Sequence, residues 1–231
     1  MSVTTARFFG CMLSDISTAI NAEKDYLTAL DGAIGDGDHG ITMSLGFNAV
    51  TTELASMDLD RTAACDVFTT AATAFLNAVG ASTGPLYASA FLKAAQVLKN
   101  DDTLSIASQV AIIEAMTTGI QERGKGHRGD KTMLDAWIPA TEAAIEAHSC
   151  GAAIPEMWGR LTQAARVGAN ATRSMVATRG RASRLGERSL GHMDPGAASA
   201  VIVLHAMMRS FVSVNDMTVY DRKSEPNKQR D

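Results

Sequence analysis

The sequence predicts an all-α fold, and two observations carry that prediction. Apolar residues recur at steps of three and four along almost the whole chain, the spacing that lines one face of an α-helix. No segment sustains the apolar–polar alternation of a half-buried strand between turn residues. A composition with 12 methionines, abundant alanine and only 5% aromatic residues suits packed helices.

Phe9, Leu13, Ile16 and Ile20 share one face and predict a helix over Thr4–Leu30. A second follows over His39–Leu54. Val67, Ala71, Ala74, Phe75 and Ala78 define a third over Arg61–Val79, and a fourth covers Pro85–Leu98. Ile106, Val110, Ile113, Met116 and Ile120 predict a fifth over Thr103–Arg123, with a sixth over Thr132–His148 and a seventh over Pro155–Met175. Ala197, Val201, Leu204, Met208 and Phe211 define the eighth, Pro195–Val214. Pro85, Pro155 and Pro195 stand where a first-turn proline is tolerated, since its missing N–H has no intrahelical partner anyway. Pro139 falls inside a helical stretch and is expected to bend or interrupt it. Residues 222–231 are charged and poor in apolar side chains and are expected to form a flexible tail behind one domain spanning residues 1–221.

The 231 residues can bury a substantial core. A net charge of −4 argues against nucleic acid as a main partner. Cys11, Cys65 and Cys150 are scattered and odd in number, which fits a reducing cytoplasm better than a disulfide framework or a zinc site. No cationic segment followed by an apolar core opens the chain, and no apolar run is expected to span a bilayer. The expectation is a cytoplasmic protein with no membrane.

Four connections carry the chemistry. In the first, Asp31, Asp36 and Asp38 crowd a turn with Gly35, Gly37 and Gly40. A plain reading makes Asp38 the cap of the helix at His39. Three carboxylates between glycines instead suit a hard divalent cation, and Mg²⁺ usually shares itself with phosphate oxygens. His39 is placed to contact a phosphate or to orient a carboxylate. The second connection, Gly80–Gly84, leads through Ser82 and Thr83 into a proline-started helix, either as a simple cap or as an anion site at a helix N-terminus. In the third, Gly124, Gly126 and Gly129 spell G-x-G-x-x-G without a preceding strand, so the dinucleotide fingerprint does not apply. Asp130 before Lys131 breaks the Walker A pattern as well. What remains is a basic loop ending near Thr132, beside phosphate or simply solvated. The fourth, Thr178–Asp194, is long enough to fold over a ligand as a lid with Arg181 as an anion contact. Alternate connections of antiparallel helices fall at one end of a bundle, so all four are expected at one rim.

The blocks Gly35-Asp36-Gly37-Asp38-His39-Gly40, Gly84-Pro85-Leu86-Tyr87, Gly129–Asp135 and Gly180–Ala197 resemble, in order and spacing, the nucleotide-binding L subunit or L domain of dihydroxyacetone kinases. The resemblance spans nearly the whole chain. It implies a barrel of eight antiparallel helices with ADP or ATP at one rim and two Mg²⁺ ions on Asp31, Asp36 and Asp38. It further implies nucleotide contacts from His39, Gly40, Ile41, Thr42, Ser82, Thr83, Gly124, Thr132 and Met133, with Met133 against adenine. Arg181 and the turn Asp194, Pro195 and Gly196 would close over the ligand. The chain departs from the family at Ala81, where glycine is common, and at Thr42, where asparagine is common.

The same resemblance implies a phosphoryl-donor subunit of a dihydroxyacetone-type kinase, with dihydroxyacetone or a related short ketose held by a separate K subunit. No side chain serves as catalytic acid or base. Either ATP exchanges at each turnover, or bound ADP is rephosphorylated in place by a phosphohistidine phosphotransferase subunit; the sequence leaves both open, and its stand-alone length favours a multi-subunit system. A nucleotide-loaded regulator docking on a transcription factor or other protein is the alternative. A metal-dependent phosphatase is third, because no apolar strand leads into the D-x-D.

Overall fold

The structure, a computed structural model, describes residues 4–80 and 82–224, with side chains to residue 215. Among the described residues there are nine α-helices and no strand: α1 (Thr5–Ala22), α2 (Lys24–Ile34), α3 (His39–Leu54), α4 (Ala64–Ala78), α5 (Thr83–Asn100), α6 (Ile106–Gly124), α7 (Leu134–Ser149), α8 (Ile154–Ala171) and α9 (Pro195–Ser224). From α3 onward each helix packs on the next, and α1 closes the ring between α3 and α9. Eight helices form the staves, and α2 sits at one rim against α3 and α9.

The first expected helix is therefore two. At Glu23 the backbone N–H is shared between the carbonyls of Ala19 and Ile20, at 3.3 and 3.2 Å, which tightens the last turn and redirects the chain. Gly40 of α3 packs directly on the carbonyl of Lys24, where a Cβ would overlap it. That contact fixes α2 across the rim and carries Asp31 into its last turn.

Other boundaries shift for local reasons. Arg61 and Thr62 belong to a turn, in which the Asp58 carbonyl accepts the Arg61 N–H at 3.0 Å and the Thr62 hydroxyl at 2.8 Å; α4 starts only at Ala64. Ser105 caps α6 by accepting the Ser108 N–H at 3.1 Å, so the helix begins after Thr103. Pro139 does not interrupt α7. Its missing N–H leaves the Asp135 carbonyl without its helical donor, and Gly168 of α8 packs against that carbonyl, where a Cβ would overlap it. The helix α9 continues past Val214 to Ser224, and residues 225–231 of the expected tail lie outside the described residues.

The interior is one hydrophobic cluster to which every stave contributes. Phe47, Phe75, Tyr87 and Phe91 meet ring to ring with centroids 5.2–6.3 Å apart. Burying an aromatic ring of this kind is worth on the order of 3 kcal/mol, and edge-to-plane geometry adds to it. Against expectation, one stretch of α9, Pro195–Asn215, is long and apolar enough to cross a bilayer. Half of it is buried against the other staves, which accounts for its apolar composition.

Candidate functional site

One rim carries all four glycine-rich connections, and they line two adjoining cavities. The smaller, about 140 Å³, is acidic at its floor. Asp31, Asp36 and Asp38 each offer one carboxylate oxygen, all within 4.8 Å of one another. This convergence is built by the turn itself. Asp31 Oδ2 accepts the backbone N–H of Asp38 at 2.9 Å and of His39 at 3.1 Å. Asp31 thus caps α3 from seven residues upstream, and Asp38, the expected cap, makes no such bond. A Cβ at Gly35 would overlap the Asp31 carboxylate and displace it from this position, and Gly37 adopts φ 73°. Burial raises the Asp38 pKa, and the neighbouring Asp31 charge raises it further. Oxygen-only donors at this spacing, with their charges mutually opposed, fit a hard divalent cation.

Arg181 reaches this cluster from the lid. Its Nη1 lies 3.0 Å from Asp38 Oδ2 and also contacts Asp36. His39 borders both cavities, and its Nε2 is 2.9 Å from Ser199 Oγ of α9. Burial pushes the imidazole down to about 4, against the pull of Asp31, so it is neutral near pH 7.

The larger cavity, about 360 Å³, has a more apolar wall that includes Leu86, Ile120, Met133 and Pro195. Ser82 and Thr83 stand at the start of α5 and border both cavities. Ser82 makes no cap bond with its own side chain, which leaves its hydroxyl and the first-turn N–H groups for a ligand. Gly124, Thr132, Met133, Asp194 and Gly196 line the same cavity. Gly40, Ile41 and Thr42 line neither: Gly40 is buried against α2, and Ile41 is 48% exposed on the outer face of α3. Ala81 lies outside the described residues.

The lid is ordered by contacts that sequence reading does not supply. Its central part is a 3₁₀ segment, Arg181–Ser189, broken at Gly186 with φ 55°. Asp130 accepts the Arg179 Nε–H at 2.8 Å and the Thr178 hydroxyl at 2.8 Å; these bonds, led by Arg179, hold its carboxyl down to about 2. Arg179 borders both cavities and is a second cation of the cleft. Asp135, 1% exposed, fixes the adjoining loop by accepting the N–H groups of Gly129 and Thr132, at 2.5 and 2.8 Å. Asp194 is buried at the α9 start, where Oδ2 accepts the Ala197 N–H at 2.7 Å; burial pushes its pKa up to about 7. Arg179 sits in a loop rich in arginine, and what distinguishes it is its distant partners, the Asp130 carboxylate 49 residues away and the Gly124 carbonyl 55 away.

Residues 33–209 match the DAK2 domain family. The chain is 39% identical over 204 residues to "PEP-dependent dihydroxyacetone kinase 1, ADP-binding subunit DhaL" of Listeria innocua, covering 87% of this chain and 94% of that one. It is 35% identical over 187 residues to the corresponding ADP-binding subunit of Escherichia coli, covering 81% and 88%. The crystal structure of the dihydroxyacetone kinase from C. freundii in complex with AMP-PNP and Mg²⁺ superposes with a TM-score of 0.65 at 25% identity, over 87% of this chain and 33% of that longer one. By family match, by similarity over most of both chains and by fold, this chain belongs to the DAK2 domain family, alongside the ADP-binding subunits of dihydroxyacetone kinases.

Proposed function

We propose that this protein is the phosphoryl-donor subunit of a dihydroxyacetone-type kinase, holding Mg–ADP or Mg–ATP and passing a phosphoryl group to dihydroxyacetone or a related short ketose on a separate K subunit. The observation that carries this reading is a single cleft with three converging carboxylates at one end and an apolar wall at the other. Asp31, Asp36 and Asp38 hold the cations, two of them, with the carboxylates as ligands and not as bases. Bound Mg²⁺ supplies neutralisation of the phosphate oxygens during transfer. Ser82, Thr83 and the first-turn N–H groups of α5 hold the phosphates, with Arg179 and Arg181 above them. The start of α3 contributes at His39, which borders both cavities; Gly40, Ile41 and Thr42 follow it in the same first turn, where the His39 and Thr42 N–H groups are given to Asp31 and Asp38. Met133 and Pro195 face the adenine, bordered by the backbone of Gly124, Thr132, Asp194 and Gly196. Charge neutralised this way supports transfer without a general base.

The bacterial relatives belong to kinases named as PEP-dependent, which supports a cycle where ADP stays bound and a phosphohistidine phosphotransferase subunit restores it. The three cysteines are unpaired, which supports a cytoplasmic setting.

Calorimetry of Asp36→Ala and Asp38→Ala with Mg–ADP tests the site. Both are expected to lose metal-dependent binding while keeping helical content and melting behaviour. Wild-type affinity in both variants would overturn the assignment. A mixture of this chain, a K subunit, dihydroxyacetone and a phosphoryl source (Mg–ATP, or Mg–ADP with a phosphohistidine-charged phosphotransferase subunit) should then yield phosphorylated ketose only with wild-type protein.

A further inference from the structure

Lys131 is one of two non-glycine residues among those described with a left-handed backbone, at φ 59°. A side chain is disfavoured there, and glycine would relieve the backbone. Yet the side chain is 1% exposed, and its ammonium is fully used. Nζ donates to the carbonyls of Thr172 at 2.7 Å, Ser189 at 2.8 Å and His192 at 2.6 Å. An ammonium has three donors, and all three are satisfied by backbone. None of the three acceptors is a carboxylate.

These carbonyls stand just past the end of α8, at the end of the lid's 3₁₀ segment and just before α9. The segment 172–194 therefore folds around the ammonium. It closes on itself as well: Ser189 Oγ accepts the Ala177 N–H at 2.9 Å, the Arg173 carbonyl accepts the Gly191 N–H at 2.8 Å, and Thr172 Oγ1 accepts the Asp194 N–H at 2.9 Å. The preceding residue, Asp130, holds Thr178 and Arg179. The following residues, Thr132 and Met133, line the larger cavity.

We infer that Lys131 is a positioning residue for phosphoryl transfer: its ammonium is the internal charge around which the lid folds, and it sets where Arg179 and Arg181 stand over the cleft. It binds no phosphate itself, although it borders the cavity and follows a glycine-rich loop. The inference rests on the functional reading above for what the two arginines do, but its geometric content stands on the lid alone.

The test is Lys131→Ala with chemical rescue. Truncation removes three methylenes and an ammonium, which n-propylammonium replaces. Mg–ADP affinity is expected to fall about tenfold or more and to recover in millimolar n-propylammonium but not in tetramethylammonium, which has no N–H to give the carbonyls. Hydrogen exchange should rise in residues 173–193 and stay unchanged in the staves. Lys131→Gln, with two donors, should fall between wild type and Lys131→Ala in both readouts. Unchanged affinity in Lys131→Ala, or a loss that both cations treat alike, would overturn the inference. So would global melting of both variants, which would assign Lys131 to the whole barrel. If the wild type failed to bind Mg–ADP, the functional reading would fall, and the exchange pattern would still decide the role of Lys131 in the lid.

Discussion

Arg181 Nη1 and Asp38 Oδ2 lie 3.0 Å apart although 143 residues separate them, so the lid and the carboxylate turn share one electrostatic unit. The arginine neutralises the same oxygens that would hold a cation. Arg181→Gln should therefore strengthen binding of Mg²⁺ alone by about threefold and weaken Mg–ADP by about tenfold. Calorimetry with and without nucleotide separates the two effects. Loss of both affinities together would show that the arginine does not compete for the carboxylates.

Asp194 gives the protein a pH-dependent stability. Its folded-state pKa is raised to about 7, whereas an unfolded aspartate titrates near 4, about 3.9. Between those values the native state holds a proton that the unfolded chain has lost, so stability declines as pH rises through this window and levels off above it. Asp194→Asn keeps an acceptor for the Ala197 N–H and never ionises. Without metal or nucleotide, its urea midpoint should exceed wild type at about pH 8 and converge with it near about pH 4. Parallel curves for the two proteins would contradict this.

Gly168 and Asp135 form a backbone contact beside the site. With Pro139 supplying no N–H, the Asp135 carbonyl is open to α8, and a Cβ at position 168 would overlap it. Gly168→Ala should cost about 1–3 kcal/mol by forcing α7 and α8 apart. A denaturation midpoint equal to wild type would mean that the helices separate without strain.

At the opposite rim, Gln109 is 1% exposed; its Oε1 accepts the Trp158 indole N–H at 2.7 Å, and its Nε2 donates to the Leu104 carbonyl at 2.8 Å. Gln109→Leu leaves a buried donor and a carbonyl unpaired, for a loss of about 1–3 kcal/mol. Mg–ADP affinity should not change, because neither cavity includes this end of the barrel. A parallel loss of affinity would show that the two rims are coupled.

The helical staves were legible because a 3.6-residue period is a local property: Phe9, Leu13, Ile16 and Ile20 announce their shared face without knowledge of what covers it. Alternation of plain and glycine-rich connections likewise predicted one populated rim, and the four loops do meet there. The break at Glu23 was not legible, because it depends on Gly40 approaching from another helix. Nor was the use of Asp31, whose carboxylate caps a helix that local rules assign to Asp38.

The sequence by itself determined which segments are helical, which loops can approach a ligand closely, and which carboxylates stand within a few residues of one another. All of these follow from backbone geometry and short-range spacing. Only the tertiary structure decided that Arg179 answers Asp130, that Arg181 answers Asp36 and Asp38, and that Lys131 is enclosed by three carbonyls of the lid. Those pairings join residues 41 to 145 positions apart. A charge in a polar loop has many partners of equal worth until the fold removes water and leaves one within reach.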